Sequence, residues 1–129
     1  MILLRSFTLD DGGDVVTRWY EQFATRAKVR AKFDTRMIYL RQQNREGWVR
    51  EPYDTLRDGI GEVRFKTEGV CYRPLGYFGP LRNEFTFLFF ATKTNEFEPA
   101  NAIDLAMDRK DVVTSNTKRA IRLKRWGQE

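Results

Sequence analysis

The sequence predicts an α+β domain in which a helical hairpin packs on one face of an antiparallel sheet of about four strands. Three observations support this prediction. The chain has 129 residues, which suits one hydrophobic core and leaves little room for a second. Apolar residues recur at helical spacing up to about Gln43, and from Gly59 onwards they alternate as in strands. Short turns join the later strands, which is typical of an antiparallel meander.

The first part of the chain is predicted to be an N-terminal strand followed by the two helices of the hairpin. The strand covers residues 3–8 and ends at the Asp-Asp-Gly-Gly sequence of residues 10–13. Asp14 is a suitable N-cap, because its carboxylate can accept a backbone N–H of the first helical turn. The apolar stripe that follows is about 30 residues long, which is long for one helix. We therefore expect a break near residues 25–28 or at Asp34.

The second part is predicted to contain the sheet, a C-terminal helix and a basic tail. Residues 44–58 lack periodicity and indicate a loop with Trp48 as its candidate anchor, and strands follow over residues 61–66, 70–78 and 84–91. Pro74 requires an edge position or a bulge, because proline cannot donate to the ladder. The third strand is apolar on both faces and is therefore expected to be central. Pro99 can open a helix. The core face of this helix is predicted to contain Ile103, Ala106 and Met107.

The composition excludes several kinds of catalytic site. The chain has no histidine, which removes imidazole bases, Ser-His-Asp and Cys-His triads and histidine zinc sites. A single cysteine, Cys71, excludes an intrachain disulfide and a cysteine zinc site, and it favours a reducing compartment. The apolar run at the start of the sequence is too short for a signal peptide. No segment approaches the length of about 20 apolar residues that a transmembrane helix needs. We therefore expect a cytoplasmic protein with no metal ion, no cofactor and no membrane partner.

The formal net charge of +5 is unevenly distributed along the chain. Residues 109–129 contain seven basic and two acidic residues, whereas residues 1–108 are balanced, with 16 of each. Within the balanced part, residues 14–50 carry nine basic residues against four acids. The functional interpretation is phosphate contact by the hairpin and the tail. The alternative is a solvated helix face and a frayed terminus, with residues 117–126 as a basic and partly helical segment. The candidate RNA-binding residues are Lys66, Arg26, Lys28, Arg30, Arg119 and Arg122.

Four segments between residues 19 and 113 resemble a known family. They are Leu56 with Gly59-Ile60-Gly61-Glu62-Val63-Arg64, then Tyr72-Arg73 with Tyr77-Phe78, then Phe90-Ala91-Thr92-Lys93-Thr94, and last Pro99, Ile103, Ala106 and Arg109. In this order and spacing, behind a helical hairpin, they resemble the RelE/ParE superfamily of toxin–antitoxin toxins, in particular its HigB-like branch. The resemblance implies a RelE-like domain over residues 1–113 and a basic C-terminal extension over residues 114–129.

The resemblance also implies a function. Such toxins are small, metal-independent endoribonucleases that cleave messenger RNA on the ribosome, and a cognate antitoxin, here expected to be a helix-turn-helix protein, inhibits them. Two alternatives stay open, because HigB-like enzymes often place a histidine near the site and this chain has none. One is a ParE-like gyrase inhibitor or a catalytically inactive binding protein on the same fold. The other is a basic nucleic-acid-binding module that uses the hairpin and the tail.

Cleavage of this type needs groups that stabilise charge on a phosphorane while a 2′-hydroxyl attacks the adjacent phosphate. Guanidinium groups suit this task, because they are permanent cations that fork onto phosphate oxygens. Arg64 and Arg73 are the candidates, since a short turn joins their strands and both could reach one phosphate. The alternative for Arg64 is an ordinary ion pair with Glu62 or with an acid of the C-terminal helix, Asp104 or Asp108.

Four further residues are candidates for proton transfer or base stacking. Lys93 could bind phosphate or, if desolvated, act as an acid or base. Tyr72 or Tyr77 could stack on a base or donate a proton, and Glu62 could accept one if it faces the ligand. The alternative assigns both tyrosines to the core and Lys93 to an exposed strand end.

Overall fold

The computed structural model describes all of residues 1–129. Strand β1 (Leu3–Phe7) precedes helices α1 (Val15–Gln22) and α2 (Ala27–Gln42). Helix α3 (Ala102–Ser115) follows the main strands and precedes the last strand, β8 (Ala120–Arg122). The strands between α2 and α3 are β2 (Tyr53–Thr55), β3 (Gly61–Val63), β4 (Phe65–Thr67), β5 (Val70–Phe78), β6 (Glu84–Lys93) and β7 (Phe97–Glu98). None of the three helices combines the length and apolar content needed to span a membrane.

All eight strands belong to one mixed sheet. Its main path is β2-β3-β5-β6-β1-β8, with β4 paired to β5 and β7 paired to β6. The β1–β6 pair is parallel, and every other pair is antiparallel. The predicted α+β class is therefore confirmed. The expected four-stranded, wholly antiparallel sheet is wrong, because short strands extend the sheet and β1 joins the last long strand in parallel.

The helical hairpin forms as expected, and its break lies at residues 23–26, near the first of the two predicted positions. The Asp14 carboxylate caps α1 by accepting the Thr17 N–H at 3.1 Å. Trp19 of α1 packs against Phe33 of α2 and stacks on Phe90 of β6, with ring centroids 4.7 and 4.8 Å apart respectively. These aromatic contacts fasten both helices to one face of the sheet.

Helix α3 covers the opposite face of β6. Neighbouring strand residues point to opposite faces, so Phe89 faces away from the hairpin that covers Phe90. The Arg109 guanidinium of α3 lies between the rings of Phe7 and Phe89, and it donates to the Leu88 carbonyl at 2.8 Å. The predicted central position of β6, with cover on both faces, is confirmed. The α3 core face includes Ala106, with Ile103 and Met107 partly buried.

Pro74 lies in a central strand, so the predicted edge position is wrong, and a register shift lies one residue further along the strand. The register between β5 and β6 shifts between Leu75 and Gly76. On its other side, β5 pairs with β3 up to Leu75 and with β4 from Tyr72, and the ladder is interrupted opposite Pro74. Proline has no N–H to donate. The strand predicted over residues 61–66 is split at Arg64 into β3 and β4.

Two further segments differ from the sequence prediction. Residues 44–58 contain the short strand β2, although the predicted anchor is confirmed: Trp48 is buried and its indole N–H donates to the Leu40 carbonyl at 2.9 Å. The prediction of a partly helical or frayed basic tail is wrong. After a single 3-10 turn (Thr117–Arg119), β8 pairs with β1 at the edge of the sheet, and Gln128 is buried. The chain beyond residue 113 thus completes the same sheet.

Candidate functional site

A pocket of about 280 Å³ opens beside β4, between the sheet, α2 and the segment before β2. Five of its eight lining residues are cationic, and Glu51 is the only lining carboxylate. A concave surface with an excess of one charge attracts ligands of the opposite charge, here anions. The lining residues are Lys32, Arg36, Glu51, Arg64, Phe65, Lys66, Cys71 and Arg73.

A buried carboxylate holds the two arginines of this pocket together. Glu62 is fully buried, and its Oε2 lies 2.5 Å from Arg64 Nε and 3.5 Å from Arg73 Nε. The β3–β5 register places Glu62 opposite Leu75, two residues beyond Arg73, so the Glu62 and Arg73 side chains face the same side of the sheet. The hydrogen bond to Glu62 raises the pKa of the Arg64 guanidinium above its usual range. Both arginines are therefore positioned as permanent cations.

The arrangement leaves donors available to a ligand. The Arg64 side chain is 24% exposed and the Arg73 side chain 15% exposed. Arg64 donates Nε to Glu62 and its Nη2 lies 3.5 Å from Asp54 Oδ2, while Arg73 donates Nη1 to the Tyr72 carbonyl. Arg64 Nη1 and Arg73 Nη2 are therefore left without an acceptor. Guanidinium donors with this geometry can bind phosphate oxygens. The structure therefore brings Arg64 and Arg73 together, and it also forms the Arg64–Glu62 ion pair that was the alternative.

Both candidate tyrosines lie in the core rather than in the pocket. Tyr72 stacks on Phe65 at 5.0 Å and meets Trp19 edge-on. Tyr77 is buried near Lys110 of α3, whose Nζ lies 5.5 Å from the ring centroid. Burial raises the pKa of both tyrosines, which favours the neutral phenol. Both tyrosines thus lie in the core, as the alternative interpretation of the sequence expected.

Neither Lys93 nor Glu62 is positioned to exchange a proton with a ligand in the pocket. Lys93 ends β6 with its ammonium 4.7 Å from the centre of the Phe97 ring, and it does not line the pocket. Glu62 faces the two arginines but has no exposed surface. Lys66, on β4, is exposed and does line the pocket.

The hairpin candidates lie outside the pocket, and two of the three make internal contacts. Arg26 forms an ion pair with Glu68. Arg30 donates Nε to the Tyr20 carbonyl at 2.9 Å, and its guanidinium lies 4.2 Å from the centre of the Tyr20 ring. Lys28 is exposed on α2 and forms no ion pair.

The tail candidates are also engaged within the molecule. Arg119 donates Nη2 to the Thr8 carbonyl at 2.7 Å and forms an ion pair with Asp10. Arg122 donates Nη2 to the Gln128 carbonyl at 2.6 Å. These contacts hold the C-terminal segment against the rest of the molecule, at the β8 edge of the sheet.

Sequence reasoning missed Lys32, Arg36 and Glu51. The first two are four residues apart on α2, inside the segment whose basic excess was noted, and this spacing places them on one helix face. Arg36 Nε is shielded from water and has no hydrogen-bond acceptor. Glu51 lies in an irregular segment, and the sequence there has no periodic pattern from which its spatial neighbours could be predicted.

The structure contains no cluster of metal ligands, and the comparisons with known proteins identify no family. No group of three or more Cys, Asp and Glu side chains is arranged to hold a metal ion. Comparison with models of protein families, with curated proteins and with solved structures finds no match to the chain. The class of protein that the fold and the pocket define is an α+β domain with a cationic pocket.

Proposed function

We propose that this chain is the toxin of a toxin–antitoxin pair, a HigB-like member of the RelE/ParE superfamily that binds messenger RNA in the cationic pocket and cleaves it. The observation that carries the proposal is the convergence of Arg64 and Arg73 on one buried carboxylate, with three further cations in the same pocket. The element order, a strand, two helices, a sheet and a helix, is also the order that the resemblance implies. A cytoplasmic location, a helix-turn-helix antitoxin and the ribosome as partner belong to this proposal.

The pocket supplies groups for a metal-independent reaction. In the proposed step the 2′-hydroxyl oxygen forms a bond to the adjacent phosphorus and loses its proton to Glu51, the only carboxylate in the lining. The bond from phosphorus to the 5′-oxygen breaks, and that oxygen takes a proton from the Lys66 ammonium. Arg64 and Arg73 stabilise the negative charge of the phosphorane. The products are a 2′,3′-cyclic phosphate and a free 5′-hydroxyl.

The test is induced expression of the chain with mapping of messenger RNA 5′-ends. The wild type is expected to stop translation and to generate new 5′-ends, and Arg73→Ala should lose both effects. Arg82→Ala is the matched control, because Arg82 is an exposed arginine in the turn after β5 and makes no hydrogen bond. Toxicity of Arg73→Ala with intact messenger RNA would refute the proposal.

A second candidate function is binding without cleavage on the same fold, as in a gyrase inhibitor or an inactive relative. Two observations favour it: the tyrosines expected to transfer protons are buried, and the Glu62 carboxylate has no exposed surface and is ion-paired. Glu51→Gln separates the two functions, because it keeps the cations and removes the proposed proton acceptor. Loss of new 5′-ends in this variant supports cleavage. Unchanged growth arrest with intact messenger RNA, in wild type and variant alike, supports binding alone.

A further inference from the structure

Helix α2 exposes a row of cations that no carboxylate of the protein neutralises. Lys28, Lys32 and Arg36 follow one another at four-residue spacing, which places them along one side of the helix, and Tyr39 continues this side three residues later. None of the three cations takes part in an ion pair. We call these four residues the α2 stripe.

The other charged side chains of α2 are used inside the molecule. Arg30 donates to the Tyr20 carbonyl, and Arg41 donates to Gln128 and to the Gly127 carbonyl. The only acid of the helix, Asp34, accepts hydrogen bonds from the Tyr20 hydroxyl and the Trp126 indole. Like charges four residues apart on a helix repel one another. An anionic occupant of the stripe would relieve this repulsion.

The stripe continues the cationic pocket. A second depression, of about 240 Å³, is lined by Lys32, Thr35, Arg36 and Tyr39, and Lys32 and Arg36 also line the first pocket. From Lys32 to Tyr39 the helix rises by about 10 Å. A single nucleic-acid strand covers this distance in about three nucleotides at the stacked spacing of about 3.4 Å per nucleotide. A strand whose phosphate lies at Arg73 therefore has a cationic path along α2.

Tyr39 has the features of a stacking platform at the end of this path. Its side chain is 46% exposed, although it is a large aromatic residue on a helix surface. It makes none of the aromatic pairs that hold Trp19, Phe33 and the other core rings. Proteins that track single strands combine a cationic groove with aromatic side chains on which bases stack, and the stacking tolerates any sequence because every base has a π-face.

We propose that the α2 stripe guides single-stranded RNA out of the pocket and that Tyr39 stacks on a base of that strand. This inference rests on the proposed function, since it assigns the path of the RNA bound there. Lys28, Lys32 and Arg36 contact phosphates, and they add affinity without regard to sequence. Tyr39 contributes an apolar contact whose strength does not depend on salt.

The test measures binding of a short fluorescein-labelled oligoadenylate by fluorescence anisotropy, with the 2′-hydroxyls methylated so that it cannot be cleaved. Tyr39→Ala should weaken binding about tenfold or more, whereas Tyr39→Phe keeps the wild-type affinity. The matched control is Ile38→Ala, because Ile38 is 44% exposed on the same helix but points away from the stripe. Lys32→Ala should reduce the slope of log affinity against log salt by about one, and Tyr39→Ala should leave that slope unchanged.

Several outcomes refute the inference. Equal affinities of Tyr39→Ala and wild type would exclude the stacking contact, and equal losses in Tyr39→Ala and Ile38→Ala would show a general effect of truncating α2. Failure of the wild type to bind the oligoadenylate would exclude the stripe as an RNA site. The proposed function is judged separately, because new messenger RNA 5′-ends that depend on Arg73 establish cleavage whatever Tyr39 contributes.

Discussion

Replacing Gln128 by alanine is predicted to destabilise the sheet where β1 meets the C-terminal segment. The Gln128 side chain is 1% exposed and acts as an additional peptide group beside β1. Its Oε1 accepts the Leu4 N–H at 2.7 Å and Arg41 Nε at 3.1 Å. Its Nε2 donates to the Leu4 carbonyl at 3.0 Å and to the Leu123 carbonyl at 2.7 Å. One side chain near the C-terminus thus joins β1, α2 and the segment after β8.

The magnitude follows from the groups that lose their partners. The Leu4 N–H and the Leu123 carbonyl would lose these hydrogen bonds in Gln128→Ala, while the Leu4 carbonyl keeps the Leu123 N–H at 3.1 Å. A buried polar group left without a partner costs about 1–3 kcal/mol. Two such groups reduce the free energy of unfolding by about 3 kcal/mol, which corresponds to a decrease of about 10 °C in Tm for a chain of this size.

Urea denaturation of wild type and variant measures this loss, and amide hydrogen exchange at Leu4 locates it. Gln128→Glu tests the hydrogen bonds at nearly constant volume, because a carboxylate cannot donate to the Leu4 and Leu123 carbonyls. Glu129→Ala is the control, since Glu129 is exposed and makes no hydrogen bond. If Gln128→Ala unfolds within about 0.5 kcal/mol of wild type and Leu4 exchange is unchanged, the reasoning is refuted.

Three further predictions concern the pocket and the sheet. Glu62→Gln removes the charge between two partly buried guanidinium groups and should lower the free energy of unfolding by about 3 kcal/mol in urea denaturation, and equal midpoints would contradict this. Burial raises the pKa of Tyr53 to about 12. Since an unfolded tyrosine ionises near pH 10, stability should be full below pH 10 and fall by about 1.4 kcal/mol per pH unit from there towards pH 12. The Tyr53 contribution to this fall should be absent in Tyr53→Phe, so the variant should lose less stability than wild type between pH 10 and pH 12. Gly76→Ala would place a Cβ 2.3 Å from the Thr86 carbonyl oxygen. The free energy of unfolding in urea should therefore fall by about 2 kcal/mol. An unchanged urea midpoint would show that the backbone shifts to accommodate the methyl group.

The helices could be predicted because their signals are local. The Asp14 cap depends on a residue three positions away, and the apolar stripes of α1 and α2 repeat every turn. The central position of β6 was likewise visible in its continuous apolar composition. Each of these features depends on neighbours in the chain, which a single sequence displays.

The parts that could not be predicted depend on contacts between distant segments. β8 is a strand because it pairs with β1, from Arg5 opposite Arg122 to Phe7 opposite Ala120, and nothing within the tail indicates this partner. The interruption at Arg64 lies beside Pro74 of β5, in the stretch that neither the β3–β5 nor the β4–β5 ladder pairs. Local propensity cannot reveal a strand or a break that the partner strand imposes.

The residues of the candidate site also fall into those that the local sequence predicts and those that only tertiary packing brings together. Arg64 and Arg73 could be placed together from sequence, because one short turn joins their strands. Lys32 and Arg36 join them only through the packing of α2 against β4, so their part in the pocket emerges from the tertiary structure. The tyrosines show the converse: Tyr72 packs on Trp19 and Phe65, and Tyr77 is buried near Lys110 of α3, so both belong to the core.

Formal charge is a poor guide to the binding surface of this protein, because most of its C-terminal cations are already in use. Arg109, Arg119 and Arg122 all donate to backbone carbonyls, and Lys110 donates to the Asp58 carbonyl. A guanidinium that must break such bonds to meet a phosphate gains little from the exchange. Lys32 and Arg36 of α2 and Lys66 of the pocket carry no such cost, since none of them forms an ion pair. Anion binding should therefore follow the unpaired donors of α2 and the sheet rather than the sequence segment with the largest net charge.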